Sequence, residues 1–234
     1  MSMTDYHPYI EIAQSFSNMS YQGVFLIDFN AKKCIYSSEH PLLRCEMTEE
    51  EFANHGIDLA MSLIPQKELE LIFDMIDSIK RVYPTIPLNL RKNIVISINT
   101  NQQHNKRLVA VNYKLSSLCF DQSGHPNLLL GLVSPSIYRN EDVIIAKVTG
   151  TNLLFHFDTC THQWEPVNYI GLNPTDEETT MLRLSMQGLT IKTISELMCK
   201  SPDTIRYYRR QVFSKLNATN INQAIATAVH YGII

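Results

Sequence analysis

Two hydrophobic rhythms run along this chain, a period near two and a period near 3.6. At the start, Tyr9, Ile12, Ala13 and Phe16 share one face of a short amphipathic helix. Gly23-Val24-Phe25-Leu26-Ile27-Asp28-Phe29 then reads as a buried strand. Asn30–Lys33 makes a polar turn, and Cys34-Ile35-Tyr36 is the return strand of a hairpin. Thr48 with Glu49, Glu50 and Glu51 is a capping box opening a short helix that fades by Gly56. Beyond Pro65, the positions Leu69, Ile72, Phe73, Ile76, Ile79 and Tyr83 predict a long amphipathic helix, stopped by Pro84 and Pro87. Alternation returns in Ile94-x-Ile96-x-Ile98, in Leu108–Phe120 and in Leu128–Val133, with the turn Asp121–Pro126 before the last. Leu153–Phe157 and Trp164–Val167 flank the polar stretch Asp158–Gln163 and predict a second hairpin, which carries the only tryptophan.

From Pro174 onward the rhythm is helical. Thr175 with Glu178 is a capping box before Met181, Leu182 and Leu184, and Gly188 ends that segment. Thr190 caps a short second helix carrying Ile194, Leu197 and Met198. Ser201-Pro202 supplies an N-cap and a first-turn proline, whose missing N–H a helix would leave unpaired anyway. Ile205, Tyr208, Val212 and Leu216 share one face of the third helix. Asn220 and Gln223 open a fourth, in which Ala224, Ile225, Ala228 and Val229 run up to Gly232. A short helix, a tight turn and a longer helix make a helix-turn-helix. With its apolar side inward, the third helix turns Asp203, Arg206, Tyr207, Arg209, Arg210 and Ser214 outward. Exposed arginine suits DNA, because its fork bonds a guanine edge bidentately or clamps a phosphate.

Thr175-x-x-Glu178, Leu182-x-Leu184, Gln187-Gly188-Leu189-Thr190, Lys192-x-Ile194, Ser201-x-x-Thr204-Ile205-Arg206, Val212-x-x-Lys215-Leu216 and the closing Gly232-Ile233-Ile234 resemble the LuxR-type helix-turn-helix family. The resemblance implies a third helix in the major groove and a fourth that pairs two subunits. It assigns base reading to Arg206, Tyr207 and Arg210, and DNA-backbone contacts to Lys192, Thr204, Arg209 and Lys215. The subunit-pairing positions are Ala224, Ile225, Ala228 and Val229. Three residues depart from the usual pattern: Pro174 replaces leucine, Ser195 replaces alanine and Tyr208 replaces histidine.

Charge follows the same division. The 234-residue chain carries −3 overall, yet residues 1–171 hold −5 and residues 172–234 hold +2. At 44% apolar and 18% charged, the composition is that of a globular protein. No apolar run reaches the ~18 residues of a membrane span, and the N-terminus lacks the regions of a signal peptide. Five scattered cysteines without a C-x-x-C complete the expectation of a cytoplasmic chain with reduced thiols.

The N-terminal order of two strands, a helical insert and three longer strands resembles a PAS domain. Its supports are the Asp28-Phe29-Asn30 strand end, the Ile64-Pro65 helix entry and the Asp-x-x-Gly turn before the last strand. A phosphoacceptor receiver is disfavoured, since Asp28 stands alone and three strands run consecutively. The expected class is α+β: a PAS-like sensor over 1–142, a connecting hairpin over 143–171, and a helix-turn-helix domain over 172–234. That hairpin could serve as a lid, a dimer element or a coupling strut.

Tests for chemistry return little. His156, Cys160 and His162 cannot close a tetrahedral metal site alone, and no phosphate loop or acid–base pair occurs. Neither a catalytic role nor a tightly bound cofactor is expected, with His55 the one histidine available on the insert for haem. A small-molecule ligand between Phe25, Phe73 and the later sheet is compatible with the pattern. The leading reading is a homodimeric, double-stranded-DNA-binding regulator governed by a small-molecule or protein signal. The alternative is a protein-interaction adaptor whose helix-turn-helix no longer binds DNA.

Overall fold

One cross-strand row explains how the first part of the chain folds. Phe25 pairs with Gly131, Gly131 with Leu115, Leu115 with Ile96, Ile96 with Ala146 and Ala146 with Phe155. Directly opposed residues point to the same face of a sheet, so this row builds one apolar surface. The computed structural model describes residues 3–44, 61–104, 107–136, 144–151, 153–167, 174–231 and 233–234, in two units, Met1–Val167 and Asn168–Ile234. In the first unit the strands are β1 (Gly23–Asp28), β2 (Lys33–Ser37), β3 (Ile94–His104) and β4 (Arg107–Phe120), followed by β5 (Pro126–Pro135), β6 (Ile144–Val148), β7 (Leu154–Asp158) and β8 (Gln163–Pro166). They form a single antiparallel sheet in the order β2-β1-β5-β4-β3-β6-β7-β8.

The expected antiparallel core is there as β2-β1-β5-β4-β3, with helices inserted between β2 and β3. Residues 144–166 lie in the stretch expected to form a connecting hairpin, and they join the N-terminal sheet. They extend the same sheet beyond β3 as β6, β7 and β8, because an isolated hairpin is marginal without a third strand or packing surface. The capping box at Thr48 and the residue His55 lie outside the described residues.

Helix α1 (Met3–Met19) covers one face of the sheet, where Ala13 packs with Val24 and Leu26. Helix α2 (Pro41–Arg44) brings Leu43 against Phe25 and Val133, and helix α3 (Gln66–Val82) covers the opposite face of the sheet from α1. A 3-10 turn over Tyr83–Thr85 and a short helix α4 (Leu88–Arg91) follow. Glu68 fixes the rotation of α3. Its carboxylate accepts the Asn101 N–H and the Thr100 hydroxyl, both at 2.6 Å, and the Asn101 side-chain amide at 2.9 Å. Residues 68, 72, 75 and 79 share one helical face, so Ile72, Met75 and Ile79 are buried against the sheet. Phe73, expected inside, is turned outward and is 50% exposed.

Between α3 and the sheet lies a cavity of about 150 Å³. Phe25, Met75, Ile98, Tyr113 and Leu129 line it, together with Cys34. Burial pushes the Cys34 thiol up to about 11, so it stays protonated and unreactive. Gly131 makes room for the Phe25 ring, which a Cβ there would meet at 2.1 Å. Asp28 closes the β1 end by accepting the backbone N–H groups of Asn30 at 2.9 Å and Ala31 at 2.8 Å, with the Tyr6 hydroxyl. Burial raises its pKa, but the hydrogen bonds from Ala31, Tyr6 and Asn30 outweigh this and leave it below the ordinary value.

The second unit is all helix: α5 (Asp176–Met186), α6 (Ile191–Leu197), α7 (Pro202–Lys215) and α8 (Ile221–His230). Met181, Leu182, Ile194, Ile205, Val212 and Leu216 form its core with Ala224 and Ala228. Among the described residues, no helix is long and apolar enough to cross a membrane.

Candidate nucleic-acid interface

Each helix of the C-terminal unit starts where its sequence provides a cap. Thr175 and Glu178 complete a reciprocal capping box, with the Thr175 N–H donating to Glu178 Oε2 at 2.7 Å. Thr190, Ser201 and Asn220 accept the N–H of Thr193, Thr204 and Gln223 at 3.2, 3.1 and 2.9 Å. Such caps contribute about 1 kcal/mol each. Between α6 and α7 the chain reverses through Cys199, whose φ is 52°, and the Lys200 N–H returns to the Ser195 carbonyl at 3.0 Å. A left-handed residue is the usual way to satisfy carbonyls at a helix end, here supplied by a side-chain-bearing residue instead of glycine.

Helix α7 buries Ile205 and Val212 and half-buries Tyr208, which leaves Arg206, Tyr207 and Arg210 together on its exposed side. Arg206 donates to Asp203 Oδ1 at 2.6 Å, but the two side chains are 58% and 89% exposed. An exposed pair of this kind is worth well under ~1 kcal/mol, so the guanidinium is readily released to a stronger partner. Arg209 lies 5.3 Å from the centre of the Phe213 ring, which stiffens its stem. Arg206, Arg209 and Arg210 line a shallow groove with Ile191, Asp203 and Phe213. Lys192 is exposed on α6, while the Thr204 hydroxyl pairs with Ser201 at 2.9 Å.

Residues 175–228 match the profile of a family described as "Bacterial regulatory proteins, luxR family". The C-terminal unit is a LuxR-type helix-turn-helix domain. No curated protein matches the chain in sequence. Among solved structures, the phage VqmA–DPO complex is 15% identical, covering 97% of this chain and 88% of that one, with a TM-score of 0.30. The Vibrio cholerae VqmA dimer in the absence of target DNA is also 15% identical over 94% and 87%, with a TM-score of 0.28. A VqmA–ligand–DNA complex is 14% identical over 94% and 90%, again at 0.28.

Within the LuxR-type domain, Lys215 and two alanines of α8 make contacts inside the domain. Lys215 does not stand free for a phosphate: its ammonium bonds Glu178 Oε2 at 2.6 Å, and Glu178 is only 4% exposed. The pair joins α7 to the start of α5, where the same carboxylate completes the capping box. Ala224 and Ala228 are fully buried in the domain's own core, because their small side chains let α8 pack closely on α5. They have no surface left for a second subunit. Ile225 is half-buried and Val229 is 43% exposed, so these two remain for such a contact.

The N-terminal unit gathers no metal site, since no group of three or more His, Cys, Asp or Glu forms among the described residues. His162 instead pairs with Asp74 on α3 at 3.1 Å. Cys160 gives its N–H to Asp158 at 2.7 Å, closing the β7–β8 turn.

Proposed function

We propose that the chain regulates transcription by reading duplex DNA through α7, under control of a small apolar signal held in the N-terminal cavity. The carrying observation is the exposed face of α7, where Arg206, Tyr207 and Arg210 project from a helix held by its own cap and core. Arg206 and Arg210 read base edges with Tyr207, while Lys192, Thr204 and Arg209 contact the flanking phosphates. Lys215 acts from inside, as a clamp that sets the angle between α7 and α5. Two chains bind as a homodimer on paired half-sites about one helical turn apart, through the outer side of α8 around Ile225 and Val229.

The signal's chemistry follows from the cavity walls. They are almost wholly apolar, and the buried Cys34 thiol adds little polarity. An unfilled space of this size costs on the order of 3–4 kcal/mol at about 24 cal/mol per Å³, which a small aromatic or branched aliphatic ligand would recover. Apolar cavities near 150 Å³ bind molecules the size of benzene.

Sequences retained by the full chain from a randomised duplex pool test the first part. An enriched pair of inverted half-sites supports the reading; retention of no duplex at low salt favours the adaptor and removes the regulator. Toluene tests the second part. A saturable rise in melting temperature, lost when Ile98→Phe fills the cavity, supports an apolar signal, and an unchanged melting temperature contradicts it.

A further inference from the structure

Strands β6–β8 widen the sheet beside α3, and the last turns of α3, the 3-10 turn and α4 leave part of the added surface uncovered. What remains is a second pocket of about 660 Å³, within the ~300–1,000 Å³ range of small-molecule sites. It shares Ile79, Tyr83 and Ile96 with the first cavity as a common wall, and adds Val148, Phe155 and Trp164. Its chemistry differs from the first. Trp164 packs with its ring centre 5.3 Å from that of Phe157, and its indole Nε1 is buried with no acceptor among the described residues. Buried donors are almost always paired, so an orphan N–H in a pocket wall points to an acceptor that arrives with a ligand.

Charge narrows the class. Arg81, in the last turn of α3, lines the pocket and makes no ion pair among the described residues. Two carboxylates of α3 have partners of their own, Asp77 with Lys80 and Asp74 with the His162 ring, both at 3.1 Å. The pocket therefore offers an apolar body, a buried indole donor and a cation that are both unmatched among the described residues, together with the polar side chains of Ser78, Thr161, His162 and Gln163. We propose that it binds an amphipathic carboxylate, a medium-length acyl or aryl acid, with the carboxylate meeting the Trp164 N–H and the Arg81 charge. This assignment stands whether or not the first cavity takes an apolar signal.

Trp164 is the only tryptophan, so its emission reports on this pocket alone. Decanoate, added to the full chain below its micelle concentration, should shift that emission saturably, and decanol should bind about tenfold more weakly. Arg81→Gln, at an exposed position, should erase the preference for the acid. By calorimetry, Trp164→Phe should weaken decanoate by about tenfold, the worth of one charge-assisted hydrogen bond. Ala146→Leu, which fills the pocket, should abolish binding while circular dichroism stays that of the parent. Binding that survives Ala146→Leu lies elsewhere and overturns the proposal. A response that never saturates, decanol binding as tightly as decanoate, or indifference to Arg81→Gln overturns it equally.

Discussion

The two units solve the problem of a core in opposite ways. In the LuxR-type domain small and large side chains share one buried core: Ala224, Ala228, Leu182 and Val212 are all fully buried. In the N-terminal unit, helix α3 is tied to β3 by a polar anchor at Glu68, and a cavity lies between helix and sheet. A filled core gives a stiff platform for a reading helix. A core with room in it can change when something enters, because packed interiors otherwise resist deformation. On the function proposed above, rigidity sits under the helix that would read DNA, and spare volume sits where the signal would bind.

That contrast can be broken at named positions, beginning with the strongest. Removing the anchor by Glu68→Ala strips three hydrogen bonds to a carboxylate and should destabilise the N-terminal unit by about 3 kcal/mol, measured by urea unfolding. An unaltered midpoint would mean that α3 is held by apolar packing alone. Lys215→Met should cost about 2 kcal/mol, since it leaves the buried Glu178 carboxylate without its cation. In the same variant the salt dependence of DNA binding should be unchanged; a slope flattened by one unit would return Lys215 to the phosphate backbone.

Asp28→Asn should destabilise by about 1–2 kcal/mol at neutral pH. The sign of its pH dependence is fixed by the lowered pKa of Asp28 in the folded chain. Its stabilisation is complete above the ordinary aspartate value and is lost as pH falls through the lower folded value. Parent and variant should therefore converge in acid, and a gap that persists there would deny the carboxylate its role. The smallest effect is at the turn before α7. Cys199→Gly should add about 0.5–1 kcal/mol, because the left-handed φ of 52° is strained for cysteine and free for glycine. Destabilisation would show that the thiol contributes more than the backbone strain costs.

The difference between the units also governs what their sequences reveal. Caps act over three residues, so Thr175, Thr190, Ser201 and Asn220 mark the starts of α5–α8 without any knowledge of the fold. The outward face of α7 follows from helical period alone. The Lys215–Glu178 contact spans 37 residues, and nothing local distinguishes that lysine from one facing solvent. Ala224 and Ala228 carry the same ambiguity, since small residues suit an intramolecular helix contact as well as an interface. In the N-terminal unit, apolar spacing admits either Phe73 or Met75 on the inner face of α3. The choice rests with Glu68, whose partners Thr100 and Asn101 lie in a strand formed much later. For β6–β8, a hairpin pattern implies the need for a further packing surface and does not say which sheet edge supplies it.

The most direct test of the account is the binding of Arg210→Ala to a selected operator and to random duplex, each followed across salt concentration. Arg210 is exposed on α7, so its loss is expected to leave stability nearly unchanged. The account predicts a loss of about 1–3 kcal/mol on the operator and a much smaller one on random duplex, with specificity relaxed at one base position. Equal losses on both duplexes, accompanied by a flatter salt slope, would contradict it and make α7 a phosphate-gripping helix instead of a reading one.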